Sequence, residues 1–491
     1  MAQPLIKPDH ALPAVHPAAE RRAMNRMLLA ICLGAFVSHL TAGIVNIALP
    51  GLSAAFQQNI SVIQWTASGY LLVIAAMLPM MGKWGDRFGS KRIHNMGYII
   101  FGVSSLLTVL VETISGLLVL RIIQALGAAM FQATNIGLVS RYVPVQSRGR
   151  ALGFVSTAVA LGGLSGPMVG GLIMDWLSWH WLFLIHVPVL LVATILAIRY
   201  IPSDSPGEAQ TIDWVGGLLF AAGMTTFIFG ISSGNEWGWL SIPLIGMFGS
   251  SAALLFVLYR WIRWRTKRKQ EPFLNMQLFA KPAVSVGMYI GFATFVAVFS
   301  TQVTLPFYLL GVRHFSPTEA GIMIMAYPVA LGIMGPISGS LSDRHGSSNI
   351  TLLGLGCMSA ALIGLSFLGS STPLIVLAAA LLFLGAGMGM VTSPNYSFIL
   401  GSVDKGNLGA VGGMVALFRN LGLVFGTALG IAIIDRAFPG SIASWMNTKE
   451  AAFAPYVVSG LRTVFFVSLL FCLLGILLLR LALRAGMPQV K

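Results

Sequence analysis

The feature that most limits this chain is a recurrence of apolar stretches. Each is about 20 residues long and nearly free of charge, and short polar connections separate them. A helix of about 20 residues crosses the roughly 30 Å hydrocarbon core of a bilayer. In lipid, only helices and closed barrels satisfy their own backbone polar groups. Fourteen such stretches run from 27–49 to 461–484, and none alternates apolar with polar as a barrel strand does. Only 9% of the 491 residues are Asp, Glu, Lys or Arg, while 56% are hydrophobic. A chain this apolar could not bury its surface in water. The reading is an all-α integral membrane protein with fourteen transmembrane helices, which excludes a soluble enzyme and a nucleic-acid-binding protein.

The net charge of +15 then reads as a topology signal. With the N-terminus inside, 24 of the 30 Lys and Arg residues fall in cytoplasmic segments and 4 outside. Arg121 and Arg419 remain, both within spans. One missed span would scramble that asymmetry. The expected location is the cytoplasmic membrane, with both termini cytoplasmic and the basic loops facing anionic lipid. The tail at 1–26 carries four prolines and Arg21, Arg22 and Arg26 but no apolar core, so it does not read as a cleavable signal peptide. Cys32, Cys357 and Cys472 lie inside apolar runs without metal or disulfide spacing. Nothing calls for a metal or a cofactor.

Two stretches repeat. Gly82-Lys83-Trp84-Gly85-Asp86-Arg87-Phe88-Gly89-Ser90-Lys91-Arg92 follows the second span, and Gly339-Ser340-Leu341-Ser342-Asp343-Arg344-His345-Gly346 follows the tenth. Each closes the second span of a six-span unit once the spans at 213–233 and 242–264 are set aside. The expected organisation is a six-helix bundle over 27–200, two inserted helices within 201–282, a second six-helix bundle over 283–484, and a cytoplasmic tail at 485–491. Such repeats are typical of secondary transporters, with a midplane site between the halves.

These residues resemble the major facilitator superfamily, and more closely its fourteen-span drug:proton antiporter branch. The first repeat is similar to the superfamily's loop motif. Arg121-Ile122-Ile123-Gln124-Ala125-Leu126-Gly127 is similar to its fourth-span motif, with Ala125 where Gly is usual. Gly162-Gly163-Leu164-Ser165-Gly166-Pro167-Met168-Val169-Gly170-Gly171 resembles the fifth-span motif associated with antiporters. Ile44-Val45-Asn46-Ile47-Ala48-Leu49-Pro50, Trp179-His180-Trp181 with Val187-Pro188, and Asp213-Trp214 resemble features of the branch. The resemblance implies the major facilitator fold and proton-gradient-driven export of small molecules.

Each motif has a physical reading. The loop glycines Gly82 and Gly89 allow a tight turn and close helix approach. Asp86 can cap a helix end or pair with an arginine such as Arg150. The resemblance makes Asp86, Arg87, Lys91 and Arg92, with Asp343 and Arg344 of the repeat, a latch for one alternating-access state. The plainer alternative is a basic loop that only fixes topology. Gly166, Pro167 and Gly170 could form a seal or pivot in the fifth span, or simply pack against neighbours.

A charge inside a span marks function by default. Gln124, Gln132 and Asn135 follow Arg121 in helical phase, so this stripe is expected to face a water-filled cavity. Arg419 gives the thirteenth span a similar polar point. Thr41, Asn46, Trp65, Tyr70, Gln302, Tyr308 and Asn395 are further cavity candidates, along with Gln64, Thr294, Thr301 and Tyr396. For any one of them, packing is an equally good account.

One departure from the branch bears on mechanism. Its first-span signature normally has an acid two residues before the position of Gly43, and this chain has Thr41 there. None of the fifteen acids lies deep in a span. A proton antiporter needs a titratable group that responds to substrate, and a cationic drug needs a desolvated partner of opposite charge. The sequence places His39 inside the first span, and it could be proton-linked. It does not replace the acid, because two residues along a helix rotate by about 200°. Three readings follow. The first is a proton-linked exporter of drugs or toxic metabolites. The second is a transporter of neutral or anionic solutes that uses Arg121 and Arg419. The third is a membrane sensor or scaffold that does not transport. No nucleophile–base pair, metal cluster or nucleotide-binding loop supports an enzyme or an ATP-driven pump.

Overall fold

In the computed structural model, the described residues are 17–203, 213–437 and 454–484, apart from 59, 64, 271, 275, 316 and 405–407. They contain helices and no strand. Fourteen helices are long and apolar enough to cross a membrane. The first six are α1 (Pro17–Phe56), α2 (Trp65–Phe88), α3 (Ser90–Leu107), α4 (Ile114–Tyr142), α5 (Val145–Trp176) and α6 (His186–Tyr200). Then come α7 (Trp214–Trp237) and α8 (Ile242–Lys267). The last six are α9 (Pro282–Pro306), α10 (Ala326–His345), α11 (Ser347–Ser366), α12 (Leu374–Gly401), α13 (Leu408–Ala437) and α14 (Ala454–Arg484).

Each expected span has its helix, with shifted ends. The first, expected over 27–49, belongs to a 40-residue helix. After α9, Pro306 supplies no N–H, and the chain widens into a π turn over Phe307–Val312. Arg313 N–H there donates to the Tyr308 carbonyl at 2.9 Å. The connections of the two repeats are single residues, Gly89 at φ 94° and Gly346 at φ 89°. An L side chain is strained at such angles, which is why glycine occupies both.

The architecture is two six-helix bundles plus two inserted helices. In the first bundle α1 packs on α5 and α6, and α4 on α2 and α3. In the second, α9 packs on α13 and α14, and α12 on α10 and α11. The bundles meet mainly along two seams, α5 with α10 and α2 with α13. Without a hydrophobic drive between helices in lipid, such contacts rest on small residues that admit close approach. Odd-numbered helices start, and even-numbered helices end, at the face carrying the Lys/Arg-rich connections, termed here the basic end.

The inserted helices pack on each other, and α7 also lies against α2 and α13. Asp213 ties this unit together. Its Oδ1 accepts the Gly216 N–H and the Trp261 indole N–H, each at 2.9 Å. Its Oδ2 accepts the Phe273 N–H at 2.8 Å, with Arg265 at 3.6 Å. The buried carboxylate thus joins the start of α7, the end of α8 and the segment leading to α9. Trp214 meets Trp84 of the first repeat edge-on at 5.5 Å, and the Lys83 ammonium donates to the Pro272 carbonyl.

Candidate functional site

At the basic end the two repeats do the same thing to opposite bundles. Asp86, near the end of α2, accepts the Ala410 N–H in the first turn of α13 at 2.8 Å. Asp343, near the end of α10, accepts the Gly149 and Arg150 N–H groups in the second turn of α5 at 3.1 and 3.4 Å. Asp86 therefore caps the positive end of α13, where the first N–H groups lack intrahelical partners, while Asp343 sits on the backbone one turn further into α5. Arg150 is not the partner of Asp86: its backbone meets Asp343, while Arg141 lies 3.9 Å from Asp86. Both aspartates follow an in-helix proline by seven residues, Pro79 and Pro336. Near those prolines the seams are tightest. A Cβ on Gly339 would lie 2.2 Å from the Gly149 carbonyl, and one on Gly413 would lie 2.6 Å from that of Leu78. No side chain larger than hydrogen fits at either position without moving backbone.

Gly82 and Gly89 are buried, Arg87 and Lys91 half-buried, and Arg92 and Arg344 exposed. Gly162 and Gly166 of the fifth-span motif face α1 and not the second bundle. A Cβ on Gly162 would meet the Phe36 carbonyl at 2.2 Å, and one on Gly166 would meet the Gly43 Cα at 2.6 Å, so they seat α5 on α1. Gly170 is buried as well. The Pro167 side chain lies outside what is described, as do the Asn46 side chain and Gln64.

Between the bundles lies a cavity of about 620 Å³. Its wall includes five of the expected polar residues: His39, Gln132, Asn135, Gln302 and Arg419. Tyr396 also lines it. Arg419 of α13 reaches across the bundles and donates from Nη2 to Gln132 Oε1 of α4 at 2.8 Å. Arg419 Nε and Asn135 Oδ1 are buried without a hydrogen-bond partner. His39 Nδ1 lies 2.9 Å from the Ala35 carbonyl. A carbonyl can only accept, so Nδ1 carries the proton and Nε2 the lone pair. Phe295, Phe299 and Tyr327 contribute aromatic surface, and Ile228 of inserted α7 completes the wall. Among the described residues no carboxylate lines the cavity, and no His/Cys/Asp/Glu group suits a metal.

The remaining cavity candidates lie elsewhere. Arg121 is buried in the first bundle. Its Nε donates to the Thr66 carbonyl at 2.7 Å, and Nη1 donates to Gln124, whose amide donates to Ser105. Its guanidinium carbon stands 4.2 Å from the Tyr70 ring centroid. Helical phase placed Arg121 on the face of Gln132, but 11 residues are also about 16 Å of rise. Over that distance the neighbours of α4 change from the cavity to α2 and α3. Thr41 turns the other way from His39 and bonds His186 Nε2 at 2.8 Å. Trp65 stacks on Phe229 of α7 at 4.6 Å. Tyr308 donates to the Gly369 carbonyl and Asn395 to that of Gly287, both at 2.8 Å.

The Major Facilitator Superfamily profile matches residues 31–427. The chain belongs to the major facilitator superfamily. Among its curated relatives, the riboflavin transporter RibZ of Clostridioides difficile (strain 630) is 33% identical over 92% of this chain and 96% of its own length. The multidrug resistance protein B homolog of Mycobacterium tuberculosis (strain ATCC 25618 / H37Rv) is 28% identical over 83% of this chain and 75% of its own length. Among solved structures, that of the human organic anion transporter MFSD10 (TETRAN) superposes with a TM-score of 0.63 at 15% identity, covering 95% of this chain and 100% of that one. The proton:xylose symporter XylE gives 0.59 at 14% identity over 92% and 95%. At those identities they show the fold alone. Within this superfamily fold, the functional parts that sequence reading missed are Gly149, Phe295, Phe299, Tyr327 and Ile228. Phe295, Phe299 and Ile228 lie in largely apolar runs, where no periodicity distinguishes a cavity wall from a lipid face, and Gly149 sits in a basic segment that reads as a loop.

Proposed function

We propose that this protein is a secondary active transporter of small organic solutes whose binding group is neutral or anionic, working by alternating access in the cytoplasmic membrane with its basic end inside. The observation that carries the reading is Arg419. Among the described residues it is the one Lys, Arg, Asp or Glu on the cavity wall, and its Nε has no partner. A cation there would meet like charge. At about 7 Å and an effective dielectric near 20 that repulsion is about 2 kcal/mol, enough to cancel a good cation–π contact. Phe295, Phe299, Tyr327 and Tyr396 suit a flat aromatic solute. The relative named as a riboflavin transporter supports such a substrate, and the multidrug relatives support breadth among such solutes. Proton-driven export of cationic drugs would call for a carboxylate where the described wall has none. In this reading the Asp86 and Asp343 caps hold the state closed at the basic end, and both must release for the other state to form.

Three fluorescent probes test the charge preference by equilibrium binding to the purified protein: riboflavin (neutral), lucifer yellow (a fixed disulfonate) and ethidium (a fixed cation). Riboflavin and lucifer yellow are expected to bind more tightly than ethidium. Tightest binding of ethidium would overturn the proposal.

A further inference from the structure

We infer that His39 and Arg419 together form a site that takes up one proton with each anionic solute, so that proton and anion move in the same direction. The inference rests on the anion reading above and adds the sign of the coupling. His39 lies on α1 and Arg419 on α13, in opposite bundles, and both line the one cavity. The imidazole is anchored at Nδ1 by the Ala35 carbonyl, with Ser38 Oγ at 3.1 Å from the same nitrogen. Nε2 is therefore its proton-accepting atom, on a half-buried side chain in the cavity wall.

Among the described residues, the groups around α1 leave this proton without a carboxylate partner. From α13 the facing charge is Arg419, and from α10 and α12 the facing titratable groups are the phenols Tyr327 and Tyr396. The described part of the α5 wall presents Val155, Ser156, Val159, Ala160 and Gly163, with no charge. On the far side of α1, His186 bonds Thr41, and Arg121 lies behind Tyr70. Every fixed charge near His39 is thus positive. An anion in the cavity reverses that local field. It favours the imidazolium, and by linkage the imidazolium favours the anion equally. The proton adds to Nε2 on binding and leaves from it on release, so the step balances without another group. In a drug:proton antiporter the proton and the substrate compete instead. Here they assist one another, and an acidic exterior drives the anion inward.

Lucifer yellow suits the test because its sulfonates do not titrate between pH 5.5 and 8. Binding is measured calorimetrically in buffers of different ionisation enthalpy, which counts protons taken up per dye. Wild type is expected to bind about a hundredfold more tightly at pH 5.5 than at pH 8, with close to one proton taken up near pH 7. His39→Gln and His39→Asn are expected to bind at the weaker level at both pH values with no proton uptake. In proteoliposomes, dye is expected to accumulate on the side opposite the acidic one. Undiminished pH dependence in both His39 variants that elute as folded protein, or dye flux against the proton flux, would overturn the inference. Failure of the underlying anion reading is separate: it appears as undiminished dye binding in Arg419→Gln at pH 8.

Discussion

Asp86 Oδ2 accepts the backbone N–H of Ala410 at 2.8 Å, although 324 residues separate them in the chain. Asp343 makes the matching contact with Gly149 at 3.1 Å on the other seam. Each half of the molecule thus lends a carboxylate to the backbone of a helix in the other, at the first turn of α13 and the second turn of α5. A carboxylate at a helix N-terminus contributes about 0.3–1 kcal/mol, rising to about 2 when partly buried. Asp86→Asn and Asp343→Asn are each expected to shift the population about fivefold toward the state open at the basic end, and together more than either alone. Spin labels at Arg92 and Arg344 report it as a longer distance distribution. Unchanged distances in the double variant would remove the caps from the mechanism.

The seams set a steric condition on closure. Because a Cβ on Gly339 would sit 2.2 Å from the Gly149 carbonyl, Gly339→Ala forces the two helices apart. Transport is expected to fall at least tenfold. Gly356→Ala, where nothing lies within 4 Å of the added atom, is expected to match wild type. Initial rates in proteoliposomes decide between them.

The two membrane arginines are expected to separate by phenotype. Arg121 holds the Thr66 carbonyl, Gln124 and the face of Tyr70. Arg121→Gln leaves buried groups unpaired, at about 1–3 kcal/mol each. It is expected to lower the apparent melting temperature by several degrees. Arg419→Gln is expected to keep the melting temperature within a degree or two while losing anion binding. Thermal denaturation of both variants, followed by tryptophan fluorescence, checks the contrast.

Restoring the acid of the branch's first-span signature would not restore a cavity charge. Thr41 faces His186 at 2.8 Å, on the other side of α1 from His39. Thr41→Asp is expected to form a buried pair with His186 and to give no gain in ethidium transport. A strong gain would place position 41 in the solute path.

Asp213 offers a test of the inserted helices. Its two oxygens serve Gly216, Trp261 and Phe273, with Arg265 alongside. Asp213→Asn leaves one acceptor oxygen and no charge. A loss of about 1–3 kcal/mol is expected, read as earlier loss of monodisperse protein on heating. Protection of the 268–282 segment from proteolysis should weaken in parallel.

The fold was legible because its cause is a length and a composition. A span must be about 20 apolar residues long, and Gly89 and Gly346 mark the same one-residue turn in each half. Asp86 and Asp343 stood out in the repeated motif too, but not their partners. Asp86 reaches a backbone N–H on α13, and backbone donors carry no sequence signature. Arg121 shows the limit of helical phase. Phase gives direction around an axis but not depth along it, so one stripe on α4 ends partly in a cavity and partly in a packed core. The inserted helices gave no hint of their place, because Ile228 and Phe229 look like any lipid-facing residues until α2 lies beside them.

The central claim, that Arg419 meets the substrate's negative or electron-rich group, is tested most directly by initial uptake rates of lucifer yellow and ethidium into proteoliposomes. Wild type, Arg419→Lys and Arg419→Gln are compared. Lucifer yellow uptake is expected in wild type, partial uptake in Arg419→Lys, which keeps the charge, and at least a tenfold loss in Arg419→Gln, with ethidium poorly carried by all three. Robust ethidium uptake in wild type, with lucifer yellow uptake unchanged in Arg419→Gln, would contradict it.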